Sequence, residues 1–226
     1  MTESLEQFNG AIIEAFGRMA AFPSSAQLEQ LRAHFRAVVD TNAKFNLTRI
    51  TDPAEAAVKH YADSLALLMW VKKCDIEVES VLDMGTGAGF PAVPLAVMRP
   101  DWVVTAIDAT RKKVDFVARV AAETSLSNLH AVHAHSRHWR PGRKSQIVLA
   151  KAVGRLDACL VQGARHVSPD GWIVVYKTAA MNAEEFSEAA STASKLGLRI
   201  SEPFPYTLEY AGEDINRILQ VCQPAP

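Results

Sequence analysis

Apolar positions recur at three- and four-residue spacing over residues 5–20, 25–42 and 53–70, the period of a helix that buries one face. Ser24 or Ser25 can cap the second of these, and Asp52-Pro53 offers a cap followed by proline at the first helical position. From Ser80 the pattern changes. Short apolar runs at 80–83, 103–107, 131–133, 147–150 and 172–176 alternate with helix-period segments at 91–97, 111–124 and 155–166, which predicts βαβ units and a parallel sheet. A further helix over 182–196 leads to extended runs at 198–201 and 217–222 that can add an antiparallel edge. The predicted class is α/β, with a mainly parallel sheet, an antiparallel C-terminal edge and an N-terminal helical extension. No repeat or low-complexity linker divides the chain, so one domain is expected over 1–226, with the extension at 1–75 packed on a core at 76–226.

Length and composition agree with that picture. The 226 residues are 49% hydrophobic and 22% charged, enough to bury one sizeable core and too few for two catalytic domains. Acids occupy the opening residues where a secretory signal carries bases, and no apolar run approaches the roughly 18 residues of a membrane span, so a cytoplasmic protein with no membrane contact is expected. Cys74, Cys159 and Cys222 are isolated and lack CxxC spacing, which predicts small buried residues rather than a disulfide framework or zinc site. The formal net charge of -1 excludes a globally basic nucleic-acid binder, and a phosphate-binding surface has to be a local patch.

The strongest local signal is Val81-Leu82-Asp83-Met84-Gly85-Thr86-Gly87-Ala88-Gly89-Phe90-Pro91: an apolar strand, an acid at its end, three alternating glycines and a helix start. Glycines permit the turn and let backbone approach a ligand closely. The spacing is not the dinucleotide fingerprint, and Asp83 would repel a pyrophosphate but can accept hydrogen bonds from a cationic amino group. That favours the methionine end of S-adenosylmethionine. Asp108 closes the second strand, where an acid can accept both hydroxyls of a ribose or cap the following helix. With Asp83 and Asp108 on adjacent strand ends, the cofactor is expected over the carboxyl ends of the strands.

These residues belong to a longer series. Phe45-Asn46-Leu47-Thr48, His60-Tyr61-Ala62-Asp63-Ser64-Leu65, the glycine loop with Phe90-Pro91-Ala92-Val93-Pro94-Leu95, then Arg99-Pro100-Asp101 and Asp108 together resemble the bacterial 16S ribosomal RNA guanine-N7 methyltransferases (the RsmG family, formerly GidB). The resemblance covers roughly 45–177. It implies a Rossmann-like class I methyltransferase core that uses S-adenosylmethionine to methylate N7 of a guanine near the decoding centre of 16S rRNA, within a small-subunit particle. Carried onto this chain it implies a cofactor set of Asp83, Gly85, Thr86, Gly87, Gly89, Phe90, Asp108, Ser136, Arg137 and Lys151. The candidate substrate set is Asn46, His60, Lys151 and Arg217, the two cations being placed to hold phosphates of the acceptor. The chain departs from the family pattern at Gln146, at Ala150-Lys151-Ala152, where the family has Ala-Arg-Ala, and at Ala134-His135-Ser136-Arg137-His138, where it has Gly-Arg-Ala-Glu-Glu.

Guanine N7 carries a lone pair and no proton, so no catalytic acid–base residue is expected and catalysis rests on alignment. Asn46, His60 and Asp63 can serve substrate contact or seat the third helix against the loop. His130, His133, His135 and His138 form a cluster in which His133 and His135 would share a strand face, without the acids or cysteines that would complete a metal site; no metal is expected. Arg137, Arg140, Arg143 and Lys144 form a basic loop that is either solvated or phosphate-contacting. Two alternatives stay open: a methyltransferase of the same core acting on another RNA or a small molecule, and a binding protein that keeps the pocket without catalysis.

Overall fold

The computed structural model describes residues 2–225; the ends of the predicted domain, Met1 and Pro226, lie outside them. Helices α1 (Thr2–Arg18) and α2 (Ser25–Asn42) form where the periodicity places them. Ser24 starts α2 through a capping box, its hydroxyl accepting from the Gln27 amide while the Gln27 side chain accepts from the Ser24 amide. The predicted helix over 53–70 is not continuous. It opens as α3 (Pro53–Ala56), capped by Asp52, widens into a π-helical stretch over Ala57–Ala62 and resumes as α4 (Ala66–Cys74). Hydrophobic spacing does not reveal a widened turn, and such turns collect at functional sites. Here the Ser64 hydroxyl takes the His60 carbonyl, a side-chain bond that competes with the regular helical ladder.

The sheet has eight strands: β1 (Ser80–Met84), β2 (Val103–Asp108), β3 (Leu129–His133), β4 (Ser145–Lys151), β5 (Val167–Thr178), β6 (Leu198–Ile200), β7 (Phe204–Tyr210) and β8 (Glu213–Pro224). The order is β3-β2-β1-β4-β5-β8-β6, with β1 to β5 parallel and β8 antiparallel to β5. β6 and β7 both pair antiparallel with β8. Strand β7 has no counterpart in the sequence expectation; it forms at the edge, where Pro205 is tolerated, with Tyr206 and Leu208 turned inward.

Interior strands are apolar on both faces, as parallel sheets covered by helices require. Val81, Ile147, Leu149 and Val174 pack in one cluster with Phe8, Ile12, Leu31 and Phe35 of the N-terminal helices and with residues of α5 (Ala92–Met98) and α6 (Arg111–Glu123). Leu82, Met84, Val148, Ala150, Ile173 and Val175 pack on the other face with α7 (Leu156–Gly163) and α8 (Ala183–Lys195). The extension therefore shares the core of the sheet. Cys159 and Cys222 are buried, but Cys74, at the end of α4, is exposed and corrects the expectation for that residue. Among the described residues no helix is long and apolar enough to cross a membrane. The chain leaves β1 toward β2 and β3 and returns to β4 on the other side of β1, so a crevice opens at the carboxyl ends of β1 and β4.

Candidate active site

The glycine loop closes β1. The amides of Gly85 and Thr86 donate to the Ile107 carbonyl, and those of Gly89 and Phe90 return to the Thr86 carbonyl. All three glycines have positive φ: 74° at Gly85, 58° at Gly87 and 90° at Gly89. Their surroundings differ. A β-carbon on Gly89 would stand 2.6 Å from a Val93 methyl, and one on Gly85 3.1 Å from a Val153 methyl, so these two serve close packing of chain on chain. At Gly87 the nearest neighbour would be the Gly85 carbonyl at 3.9 Å. Protein does not fill that space, which leaves it free for a ligand lying over the loop.

Asp108, at the end of β2, accepts from the Gly87 amide at 3.1 Å on Oδ2 and from the Thr110 amide at 2.8 Å on Oδ1. The start of α6 belongs to Thr110, so Asp108 is not the helix cap. Each carboxylate oxygen retains acceptor capacity, which matches the two hydroxyls of a ribose. Asp83 lies deeper. It is 0% exposed, with the Thr86 hydroxyl and the Ala92 amide as donors facing its carboxyl. Burial pushes its carboxyl up to about 7. Asp83 thus forms the buried floor of the loop.

The N-terminal helices seat this loop. His34 on α2 is fully buried; its Nε2–H donates to the Ala88 carbonyl at 2.8 Å, so Nδ1 accepts from the Tyr61 hydroxyl at 3.0 Å. Burial holds the ring neutral, its pKa lowered to about 4. Phe90 packs against His34, Tyr61 and His60, the last stacked at 4.6 Å. Its ring packs on the helices, while its backbone amide donates to the Thr86 carbonyl within the glycine loop. His60 Nε2 lies 2.8 Å from the Thr48 hydroxyl, and burial, with Lys151 nearby, lowers its pKa to about 3. Asn42 accepts from the amides of Leu47 and Thr48, while Asn46 is exposed. The Asn-Leu-Thr segment is therefore wired to the glycine loop through Thr48, His60 and Phe90. His34 and Tyr61 escaped the sequence reading; the only signal was that His34 shares the buried face of Leu31, Phe35 and Val38.

At the end of β4, Lys151 reaches Asp63 at 3.0 Å, with side chains 11% and 2% exposed. Asp63 also accepts from the Tyr206 hydroxyl at 2.7 Å and faces Arg217 Nε at 3.8 Å. The π-helical stretch thus delivers an acid that gathers two cations from β4 and β8. They border a cavity of about 340 Å3, whose other walls include Val153, Tyr176, Lys177 and Glu185. Since Val153 also abuts Gly85, the cavity adjoins the glycine loop.

Ser136 and Arg137, also expected in the cofactor set, follow the end of β3. The Ser136 hydroxyl donates to the Gln162 side chain and its carbonyl accepts from His166, so the side chain is held by α7 and its end. Arg137 is exposed, and its carbonyl accepts from Arg140 and Arg165. The structure thus assigns both side chains to the connection between β3 and β4, where Trp139 packs on the α7–α8 core. The segment's start, Ala134, adjoins Asp108, its amide donating a hydrogen bond to the Asp108 carbonyl. β3 ends at His133, whose ring meets the Ala109 carbonyl, so His135 shares no strand face with it.

S-adenosylmethionine fits this arrangement through the unfilled space over Gly87 and the spare acceptors of Asp108. Comparison with known proteins gives independent findings. The family described as rRNA small subunit methyltransferase G matches residues 27–202. A protein of Solibacter usitatus named ribosomal RNA small subunit methyltransferase G is 36% identical over 173 residues, covering 76% of this chain and 80% of that one. One of the same name from Microcystis aeruginosa is 32% identical over 209 residues, covering 89% and 92%. Among solved structures, the glycopeptide N-methyltransferase MtfA superposes with a TM-score of 0.57 at 11% identity, over 72% of this chain and 96% of that one, a likeness of fold alone.

Proposed function

The chain belongs to the rRNA small subunit methyltransferase G family, and on that premise we propose that it methylates N7 of a guanine in 16S ribosomal RNA. Family and fold imply S-adenosylmethionine as the methyl donor. The observation that supports the reading best is the junction of the Gly87–Asp108 cradle with a cavity that carries Lys151, Lys177 and Arg217. A cofactor loop beside a cationic recess suits an anionic acceptor.

In this reading the ribose hydroxyls fall to Asp108, and Gly87 leaves room for the chain of the cofactor. When bound, S-adenosylmethionine supplies a methyl carbon on a sulfonium, which the N7 lone pair takes as the S–C electron pair returns to sulfur. No proton leaves N7, so the site needs no general base. His60 agrees with this: it is neutral, bound to Thr48 and stacked on Phe90, and acts by holding the loop. Lys151 and Arg217, kept extended by Asp63, hold phosphate or base oxygens. Exposed Asn46 and the basic loop of Arg137, Arg140, Arg143 and Lys144 offer further RNA contacts. The A-form major groove hides N7 from side chains, so the guanine must be unpaired when it is methylated.

A net charge of -1 gives weak unaided attraction to RNA, which favours a shaped acceptor, the small-subunit particle in the cytoplasm. Methyl incorporation from labelled cofactor into the particle, naked 16S RNA and the isolated loop tests this. The particle should be methylated fastest, with a rate that falls as salt rises. Equal rates would overturn the particle requirement. No incorporation into any of them would shift the reading to another RNA or a small molecule.

A further inference from the structure

Guanine and adenine both present an N7 lone pair, so transfer to N7 selects guanine only if the neighbouring O6 position or the Watson–Crick edge is read as well. Two carboxylates line the cavity beside the glycine loop, Asp63 and Glu185. Asp63 is committed to Tyr206, Lys151 and Arg217. Glu185 is held on one side only. Its Oε1 accepts from the Leu156 amide at 2.8 Å and from Lys177 Nζ at 2.5 Å, while Lys177 also donates to the Gly154 carbonyl at 2.9 Å. Its backbone amide is fixed by the Asn182 cap at 2.7 Å. Glu185 Oε2 receives no hydrogen bond among the described residues. The carboxylate is therefore held through Oε1, and the Lys177 hydrogen bond lowers its pKa below the ordinary range, while Oε2 is free to accept.

The walls set an orientation. Val153 abuts Gly85 on the cofactor side, and Glu185 stands on the side of α8. A purine that spans the cavity with N7 toward the glycine loop turns its N1 and N2 positions toward α8, because these lie on opposite edges of the base. Resting on the reaction proposed above, we propose that Glu185 is a specificity-determining residue that reads the Watson–Crick edge of the target guanine, with Lys177 as its positioning residue. Guanine brings N1–H and N2–H donors to Oε2. Adenine would bring the N1 lone pair, which leaves the carboxylate unpaired and faces it with another acceptor.

The test uses the full-length protein and small-subunit particles reconstituted with ligated 16S RNA that carries guanine or inosine at the target position. Inosine keeps N7, O6 and N1–H and lacks the N2 amino group. The wild type should methylate inosine about tenfold less efficiently than guanine, as loss of a hydrogen bond to a charged acceptor implies. Glu185→Met should lower kcat/KM on guanine by about ten- to a hundredfold, leave the cofactor Kd unchanged and bring the guanine-to-inosine ratio near one. Glu185→Gln, which keeps one acceptor, should fall between. Equal use of both bases by the wild type, which needs no variant to fold, would overturn the proposal, as would a ratio unchanged in Glu185→Met or, if that variant does not fold, in Glu185→Gln. Guanine methylation with an unchanged ratio refutes only the role of Glu185, whereas no methylation of the guanine particle by the wild type refutes the ribosomal reaction and this proposal with it.

Discussion

Replacing Asp83 with asparagine removes a titrating group from the floor of the glycine loop at almost constant shape. Asp83 is 0% exposed and raised by burial from the ordinary 3.8 to about 7, against the opposing effect of Thr86 and Ala92. That difference corresponds to about 4 kcal/mol between its protonation states. The sign follows from proton counting. Between pH 4 and 7 the folded chain holds a proton on Asp83 that the unfolded chain has lost, so this residue makes stability fall as pH rises through that window. His34 and His60 act oppositely, because burial lowers their pKa values to about 4 and 3; their contribution is present above the unfolded value of 6.5 and is lost toward acid. Comparing variant with wild type cancels the histidines. Urea unfolding of both proteins from pH 4.5 to 8 should show Asp83→Asn gaining on wild type by about 1.4 kcal/mol per pH unit up to pH 6.5, then levelling off. A difference constant across that range would show that Asp83 is ionised in the folded protein, and the account of the loop floor would fail.

Asp108→Ala should weaken cofactor binding by roughly ten- to a hundredfold in calorimetry, since it removes a charged acceptor and frees the Gly87 amide; unchanged affinity in a folded variant would remove Asp108 from the site. The loop glycines should separate: Gly89→Ala should lower Tm because its β-carbon meets Val93 at 2.6 Å, whereas Gly87→Val should cost only about 1–2 kcal/mol of backbone strain but abolish cofactor binding. Retained affinity in Gly87→Val would move the ligand off the loop. Lys151→Met should raise KM for the particle and flatten its salt dependence; an unchanged KM would confine Lys151 to holding Asp63 or the cofactor.

The sequence was most readable where chemistry and local pattern coincide. Strands β1 to β5 announce themselves because burial on both faces demands continuous apolar runs, and Gly85 to Gly89 with Asp108 encode a turn and an acid that need no distant partner to be understood. Where a role depends on contacts made across the fold, the signal vanishes. His34 is one polar residue on a helix until Ala88 and Tyr61 meet it. Glu185 resembles any solvated acid of an amphipathic helix until Lys177 and Leu156 fix it. The π-helical stretch keeps a helical composition while redirecting Asp63 to Lys151 and Arg217. The bond of the Ser136 hydroxyl to Gln162 likewise joins two segments far apart in sequence, which no local pattern announces.

The central claim is that this chain places a methyl group on N7 of a small-subunit guanine. Mass-mapping of modified nucleosides in 16S RNA from a strain lacking the gene, with and without the gene restored, tests it most directly. The account predicts that one N7-methylguanosine is missing from the small-subunit RNA and returns with the wild-type gene but not with Asp108→Ala. An unaltered complement of N7-methylguanosine in the deletion strain would contradict it.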